Sequence, residues 1–273
     1  LGVTKVRITG GEPLVRRGIE RLVRMVSGID GVAEVAMTTN GSLLEHKAEA
    51  LREAGLGRIT VSLDSLDDET FRAMSDVNLP VALVLDGIAA AHEAGFAPIK
   101  INTVVKRGLN DAGIVELARF GREGGHVVRF IEYMDVGTTN GWRLDDVVPA
   151  DEIVARIGAI YPLDPAPPRS AGEVATRYRY RDGGGEVGVI ASVTRPFCHA
   201  CVRARLSPVG ELYTCLFAPC GQDLRALLRG GGGDDELEAL IQGTWGARSD
   251  RYSELRSAAT SPPRKVEMSY IGG

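Results

Sequence analysis

The chain has 273 residues, a mass of 29.1 kDa and a mean hydropathy of −0.02, values typical of one large globular domain or of a domain with an extension. Its 32 Lys and Arg residues against 36 Asp and Glu residues give a net charge of −4, which argues against a general nucleic-acid or anionic-membrane surface. No apolar run approaches the ~18 residues of a membrane span. An anionic ligand would therefore have to be bound by locally placed basic side chains.

Residues 1–160 alternate short β-branched segments with amphipathic segments, a pattern that indicates βα units around a parallel sheet. The predicted strands are residues 4–9, 34–38, 58–63, 99–105 and 127–133. The predicted helices are residues 18–27, 43–54, 81–94 and 112–123. Polar and glycine-rich loops follow these strands, and in parallel α/β folds ligands gather at the carboxyl ends of strands. We expect these loops to form one rim of a ligand site.

A Pro-rich stretch at residues 162–168 ends this pattern. Two strand-like segments, residues 177–181 and 186–193, follow on either side of a turn of three glycines. Residues 230–233 then predict a flexible link, residues 236–242 a short helix and residues 268–273 an exposed tail. The sequence therefore divides into a barrel-like part, residues 1–160, and an extension, residues 161–273.

The four cysteines, Cys198, Cys201, Cys215 and Cys220, lie within 23 positions of each other, too few and too clustered for a disulfide framework. Cys198 and Cys201 on a tight turn can direct both sulfurs at one metal site, and Cys215 would reach it from the far strand of a hairpin predicted at residues 205–215. Soft thiolates suit an iron–sulfur cluster and also a structural zinc completed by Cys220 or His199. The cysteine spacing therefore does not decide between an iron–sulfur cluster and a structural zinc.

Basic side chains accompany this cysteine block and the predicted strands. Arg203 and Arg205 alternate around one residue, so on a strand they share a face, which suits bidentate contacts with phosphate. The other bases in question, on three predicted strands, are Lys5, Arg7, Lys100 and Arg129. If their faces point into a barrel, they line an anionic pocket; for each base taken singly, a surface position is the alternative.

Several motifs occur together in an order that resembles the molybdenum-cofactor biosynthesis protein A family, which comprises GTP 3′,8-cyclases of the radical S-adenosylmethionine (SAM) superfamily. They are RITGGEP, TTNG, SLDSL, RFIEYMDVG, the block C-x2-C-x-R-x-R-x9-C and the terminal Gly272-Gly273. The resemblance covers essentially the whole chain. It implies an α/β fold, an incomplete TIM-like (β/α)6 barrel closed by a C-terminal extension that carries an auxiliary cluster.

The resemblance also implies a reaction and its partners. In full-length relatives a first 4Fe–4S cluster reduces SAM to a 5′-deoxyadenosyl radical, and GTP is converted to 3′,8-cyclo-7,8-dihydro-GTP. Cyclic pyranopterin monophosphate synthase acts next on the way to molybdenum cofactor. A cytoplasmic protein with no nucleic-acid or membrane partner is expected, and the chain could also form a homodimer.

The family's site residues map onto positions of this sequence. For GTP they are Arg7, Thr38, Lys100, Arg203 and Arg205, with Lys5 and Arg129 as further pocket bases. For SAM they are Gly11, Ser62 and Met134. For a second 4Fe–4S cluster, with one iron left open for the guanine base, they are Cys198, Cys201 and Cys215.

Three departures from the family pattern matter. Val202 stands where a polar residue is common, and Cys220 lies outside the cysteine triplet. The CxxxCxxC motif of the SAM-cleaving cluster has no counterpart, and the sequence starts at Leu1 close to a predicted strand, without a leader. We therefore expect a strand and its cluster loop to precede Leu1, and this chain alone not to cleave SAM. A non-catalytic nucleotide-binding module with a structural zinc is the alternative, and another radical SAM enzyme with an auxiliary cluster is a third.

Overall fold

A computed structural model describes residues 1–75, 78–137, 141–170, 172–256 and 266–272. The strands of the main sheet are β1 (Lys5–Ile8), β2 (Glu34–Thr39), β3 (Arg58–Ser62), β4 (Lys100–Val105), β5 (Val127–Glu132), β6 (Leu163–Ala166), β7 (Thr176–Tyr180) and β8 (Glu186–Ile190). A small sheet contains β9 (Arg205–Leu206), β10 (Glu211–Tyr213) and β11 (Gln222–Asp223). The α-helices are α1 (Ile19–Ser27), α2 (Ala48–Glu53), α3 (Asp68–Ser75), α4 (Val81–Glu93), α5 (Ile114–Glu123), α6 (Ala150–Gly158), α7 (Arg225–Arg229), α8 (Asp234–Gly246), α9 (Tyr252–Leu255) and α10 (Met268–Ile271).

The main sheet has the strand order β1-β2-β3-β4-β5-β8-β7-β6. Strands β1 to β5 and β8 run parallel, whereas β7 and β6 are antiparallel to their neighbours. The five strands predicted in the first part are confirmed, each to within one residue at either end. The sheet continues across residue 160, because β8 adds a parallel strand beside β5.

The two faces of the parallel sheet differ sharply in polarity. Side chains alternate along each strand, and the register aligns those that share a face. One face is apolar and packs against the helices, with Met37, Ile59 and Ile101 among its fully buried residues. The opposite face is polar, and its residues on β1 to β5 include Lys5, Arg7, Glu34, Thr38, Arg58, Thr60, Ser62, Lys100, Asn102 and Arg129. A polar lumen therefore lies on the side of the sheet away from the helices.

The four predicted helices are present, two of them in shorter form. The predicted helix at residues 43–54 is a 3-10 turn (Leu44–His46) followed by α2, and the helix predicted from residue 112 begins as a 3-10 turn (Asp111–Gly113) before α5. Helices α3 and α6 were not predicted. Each carries two acidic residues in its first turn, and α6 follows Pro149, which are start signals visible in the sequence.

The extension contains the predicted cysteine hairpin. Strands β9 and β10 are antiparallel, and Gly210 in the turn between them has a φ of +87° that favours glycine. Residues 230–233 connect α7 to α8, and α8 is longer than the predicted helix at residues 236–242.

The prediction of an exposed tail is confirmed at Met268, which is exposed, but is wrong at Ile271 and Gly272, which are buried. The tail contains the short helix α10, and Ile271 is 4% exposed because it packs with Tyr213 and Ala218. Burial of this apolar side chain anchors the tail on the extension. Gly273, which the prediction also covers, lies outside the described residues.

None of the described helices is long and apolar enough to cross a membrane.

Candidate active site

The side chain of Arg7 occupies the polar lumen and bridges two neighbouring strands. Its Nη1 atom donates hydrogen bonds to Thr38 Oγ1 at 2.9 Å and to Thr60 Oγ1 at 3.3 Å. The strand register allows Arg7 to extend as far as Thr60 on β3, because Arg7 lies opposite Ala36, whose side chain is too small to block it. The structure thus brings together Arg7 and Thr38, two of the residues assigned to GTP.

Glu34 is the carboxylate that the sequence analysis missed in this lumen. Lys5 Nζ lies 3.0 Å from Glu34 Oε2, and Arg58 contacts the other carboxylate oxygen. A single negative charge is therefore shared by two cations. The predicted pocket base Lys5 is present, but its charge is partly neutralised by the neighbouring strand.

Lys100 and Arg129 lie deeper among like charges. Burial and the charges of Arg129, Arg58 and Arg169 together lower the pKa of Lys100 to about 8, against an opposing effect of Glu173. Burial, with Arg7 and Arg58, lowers the pKa of Arg129 to about 10. Crowding of cations is unfavourable, and a bound anion would relieve it.

Arg129 is shaped to receive such an anion. Its buried Nε atom has no hydrogen-bond partner among the described residues. Gly188 on β8 lies opposite Arg129, and a Cβ at Gly188 would lie 3.1 Å from Arg129 Cγ. The absence of a side chain at Gly188 therefore makes room for the guanidinium stem.

The cysteine block lies on a 3-10 turn (Cys198–Ala200) and on the hairpin that follows it. Burial raises the pKa of Cys201, but a backbone hydrogen bond from Arg203 and the charges of Arg203 and Arg205 outweigh it, so the pKa is lowered. Burial raises the pKa of Cys215, although the Phe217 amide donates to its sulfur at 3.4 Å. The thiolate is thus favoured at Cys201 over Cys215.

Arg203 and Arg205 connect the cysteine block to the lumen. The positive charge of Arg203 contributes to the lowered pKa of Arg7, so residues from the extension and from β1 act on the same space. Burial lowers the pKa of Arg205, and Arg203 lowers it further, while Cys201 and Cys215 oppose the shift. Arg205 Nη1 is buried and has no hydrogen-bond partner in the described part of the chain.

The C-terminal tail reaches the same region. Arg205 Nε donates a hydrogen bond to the carbonyl oxygen of Gly272 at 3.2 Å. Gly272 has a φ of +74°, and a Cβ there would overlap the side chain of Thr9, the residue after β1. Gly272, the first of the two terminal glycines, therefore lies between β1 and the cysteine hairpin.

The residues assigned to SAM follow or end three parallel strands at one edge of the sheet. Gly11 follows β1, Ser62 is the last residue of β3, and Met134 follows β5. Glu12, beside Gly11, accepts hydrogen bonds from the amides of Leu14 at 2.9 Å and Asn40 at 2.6 Å and from the Thr39 hydroxyl at 2.7 Å. These contacts join the GGEP loop to the TTNG loop. The carboxylate of Glu12 therefore holds these two loops of the rim together.

Two further residues face the lumen without having been predicted. Arg58 begins β3, and Asn102, on β4, lies opposite Arg129 with a buried Oδ1 atom that has no partner among the described residues. Strand alternation could have identified both, since Arg58 and Ser62 share a face, as do Lys100 and Asn102.

The cysteines are unpaired thiols; Cys220 is exposed and the other three are partly buried. No group of three or more His, Cys, Asp or Glu side chains in the described ranges is arranged to hold a single metal ion. His199 is exposed, and its Nδ1 atom lies 3.4 Å from Glu254 Oε1.

Comparisons with known proteins match both parts of the chain. Residues 1–121 match the family model for the radical SAM superfamily, and residues 126–254 match the model for molybdenum cofactor synthesis C. Three similar proteins, each named GTP 3′,8-cyclase, come from Acidothermus cellulolyticus (54% identity), Xanthomonas axonopodis pv. citri (49%) and Staphylococcus haemolyticus (42%). Each comparison covers all of this chain and 82%, 81% and 81% of the relative, respectively. These identities show that the chain belongs to the GTP 3′,8-cyclase family of the radical SAM superfamily.

Proposed function

We propose that this chain binds GTP in the polar lumen and carries the GTP-binding and auxiliary-cluster parts of a GTP 3′,8-cyclase, the activity named for its relatives. The observation that carries the proposal is the set of crowded cations on the inward face, Arg7, Lys100 and Arg129, to which the extension adds Arg203. A ligand with several negative charges would relieve their mutual repulsion.

Each base has a distinct part in this proposal. Arg7, held by its hydrogen bond to Thr38, is oriented before the ligand arrives. Arg129 and Arg205 offer buried donor atoms without partners among the described residues, and these would donate to phosphate or to the base. Lys5, which is paired with Glu34, would attract the phosphates mainly through its charge.

Cys198, Cys201 and Cys215 fit the proposed auxiliary 4Fe–4S cluster by their chemistry. All three are free, partly buried thiols, and two guanidinium groups favour the thiolate at Cys201. Each thiolate of such a cluster binds a different iron, so the sulfurs need not surround one ion. When bound, the cluster would supply an iron with an open coordination position for the guanine base.

Gly11, Ser62 and Met134 are proposed to hold SAM at the carboxyl ends of the strands, where Gly10 and Gly11 allow the backbone to approach a ligand closely. SAM, when bound and reduced, supplies the radical for the cyclisation. The chain's own residues orient the triphosphate and, through the Gly272 tail and the extension at residues 161–273, cover the barrel part at residues 1–160. The proposed downstream partner is cyclic pyranopterin monophosphate synthase, and a homodimer is a further expectation.

Anaerobic reconstitution with iron and sulfide, followed by iron analysis and GTP titration, tests this proposal. We expect an absorbance near ~400 nm that is lost in air, and saturable GTP binding. Cys220→Ala should keep the iron content, whereas Cys215→Ala should lose it. Stoichiometric zinc without iron, or no GTP binding, would contradict the proposal and favour the zinc-containing module.

Cleavage of SAM is expected to need cysteines that these 273 residues do not contain, because none of the four is spaced as CxxxCxxC. Reduction of the reconstituted chain with dithionite in the presence of SAM should therefore give no 5′-deoxyadenosine. Its detection by chromatography would show that this expectation is wrong while leaving the GTP site untouched.

A further inference from the structure

The 248–256 segment, which contains α9, contacts both turns of the cysteine block. Glu254 accepts a hydrogen bond from the amide of His199 at 3.0 Å, and His199 lies between the first two cysteines. Asp250 accepts a hydrogen bond from the hydroxyl of Thr214, the residue before the third cysteine. One short segment is therefore hydrogen-bonded to both turns that carry the proposed cluster ligands.

Arg256, at the end of this segment, has a guanidinium group that is buried among aromatic rings. Its central carbon lies 5.5 to 5.8 Å from the ring centroids of Phe217, Tyr252 and Trp142. The side chain is 8% exposed, and its Nη2 atom lies 2.6 Å from Asp135 Oδ1. The hydroxyl of Tyr252 donates a hydrogen bond to the other carboxylate oxygen of Asp135. Cation–π contacts and a buried ion pair therefore fix the guanidinium and the rings beside it in one arrangement.

Phe217 connects this arrangement to a proposed cluster ligand. Its ring is buried and stacks on Tyr252, with the two centroids 4.6 Å apart and the ring planes inclined by 26°. Its backbone amide donates a hydrogen bond to Cys215 Sγ at 3.4 Å. Because only two rotatable bonds separate a phenylalanine ring from its backbone, a fixed ring restricts the direction in which the amide points. The contacts of the ring therefore support the hydrogen bond to sulfur.

Arg256 is also attached to the main sheet. Asp135, its ion-pair partner, lies in the loop after β5, and Arg256 Nη1 donates a hydrogen bond to the carbonyl oxygen of Ser192, after β8, at 3.2 Å. An unbroken series of contacts therefore runs from the ends of two parallel strands through Arg256 and Phe217 to the sulfur of Cys215. The main sheet, and not only the cysteine hairpin, determines where the Phe217 amide lies.

We infer that Arg256 and Tyr252 are positioning residues that keep the Phe217 amide on Cys215 Sγ, and that this hydrogen bond raises the reduction potential of the auxiliary cluster. The inference rests on the proposed function, which assigns Cys215 to that cluster. A hydrogen bond donated to a cluster thiolate stabilises the more negative, reduced state, and such bonds are among the features that set the potential. Asp135 balances the charge of Arg256, so the contribution of this pair is the position of the amide.

The test is an anaerobic redox titration of the reconstituted chain, followed by absorbance, with iron and sulfide measured in every sample. Tyr252→Ala removes the ring that stacks on Phe217 and changes no charge. It should shift the one-electron reduction equilibrium about tenfold toward the oxidised cluster, which lowers the potential by about 59 mV. Tyr252→Phe keeps the ring and should keep the potential. A role in stability alone would not lower the potential of a cluster that holds its full iron content.

Arg256→Lys tests the arginine with a smaller change. Lysine keeps the positive charge but lacks the planar group that lies against the rings, so the potential should fall as in Tyr252→Ala. Tyr161→Ala is the matched control, because Tyr161 follows α6 and pairs edge to face with Tyr180 of the main sheet, with the centroids 6.0 Å apart. This variant loses an aromatic contact of similar size and should leave the potential unchanged.

An unchanged potential in Tyr252→Ala at full iron content would overturn the inference, and a raised potential would do so too, because solvent access would then control the cluster. A lowered potential in Tyr252→Ala but not in Arg256→Lys would overturn the part assigned to the arginine.

Loss of iron from both variants, with iron kept in Tyr161→Ala, would mean that the 248–256 segment only retains the cluster, and this would also overturn the inference. In each of these cases the proposed function stands, because the unaltered chain holds its cluster. An unaltered chain that takes up no iron would overturn the proposed cluster and this inference together.

Discussion

Arg205 donates a hydrogen bond from Nε to the carbonyl oxygen of Gly272 at 3.2 Å, which fixes the tail against the arginine that follows the cysteine turn. The same glycine lies against Thr9 at the end of β1. Three segments that are distant in sequence therefore meet at one point, and a change at Gly272 should release the tail without unfolding the barrel.

Gly272→Ala should loosen this contact, because the φ of +74° disfavours a side chain and the new Cβ would overlap Thr9. Hydrogen–deuterium exchange of the peptide that contains residues 266–272 should become faster. Gly246→Ala, at the end of α8 where a Cβ meets no atom within 4 Å, should leave that exchange unchanged. If the tail of Gly272→Ala exchanges as slowly as that of the unaltered chain, the contact of Gly272 with Arg205 and Thr9 does not hold the tail in place.

Gly188→Ala should displace Arg129, because the added Cβ would lie 3.1 Å from Arg129 Cγ and 3.4 Å from the Ala175 side chain. We expect GTP affinity to fall roughly fivefold, with little change in the unfolding midpoint. Gly158→Ala, at the end of α6 in open space, is the control for an added methyl group. Unchanged GTP affinity in Gly188→Ala would show that Arg129 does not contact the nucleotide.

Many residues that line the lumen could be predicted, because side chains alternate between the two faces of a strand and the strands could be assigned from the sequence. Lys5 and Arg7 are two residues apart, so a single strand assignment puts both on one face. The partner of Lys5 could not be predicted, because Glu34 comes from another strand and its contact depends on the register between β1 and β2. For the same reason, the sharing of Glu34 with Arg58 emerges only in three dimensions.

The tail illustrates a second limit of the sequence. A short segment ending in two glycines has too few apolar residues to predict burial, and the residues it packs against, Tyr213 and Ala218, lie more than fifty positions earlier. The electrostatic interaction of Arg203 with Arg7 likewise joins residues that are far apart in the sequence. The family resemblance indicated that Arg203 and Arg7 lie near each other, because it assigns both to GTP, but it did not indicate the burial of Ile271 against Tyr213 and Ala218.

Glu132, the last residue of β5, should be essential for stability. Its buried carboxylate accepts hydrogen bonds from the amides of Ala150, Val193 and Thr194, each at 2.8 Å, and from the Thr194 hydroxyl. Glu132→Ala would leave these donors unsatisfied and should lower the free energy of unfolding by about 3–5 kcal/mol.

Urea denaturation measures this effect, and Glu53→Ala on the exposed surface of α2 provides the control, with an expected change within about 0.5 kcal/mol. The segment held by Glu132 leads directly to Cys198, so the iron content after reconstitution should fall as well. A loss of less than about 1 kcal/mol would mean that other contacts fix this segment.

GTP affinity should fall as the pH rises from 7 to 9. In the free protein the pKa of Lys100 is about 8, because burial and the neighbouring Arg129, Arg58 and Arg169 oppose its charge more strongly than Glu173 supports it. Bound phosphate raises that pKa, so above pH 8 binding must take up a proton and becomes weaker. With the pKa of Arg129 at about 10, its charge persists over this range.

The expected decrease is about tenfold between pH 7 and pH 9, since about nine-tenths of Lys100 is charged at the first pH and about one-tenth at the second. The terminal phosphate has a pKa near ~6 and remains ionised throughout. Calorimetric titration at constant ionic strength measures the affinity. Lys100→Arg should keep a charge at this position and flatten the profile, and a variant that retains the full tenfold decrease would assign the titration to another group.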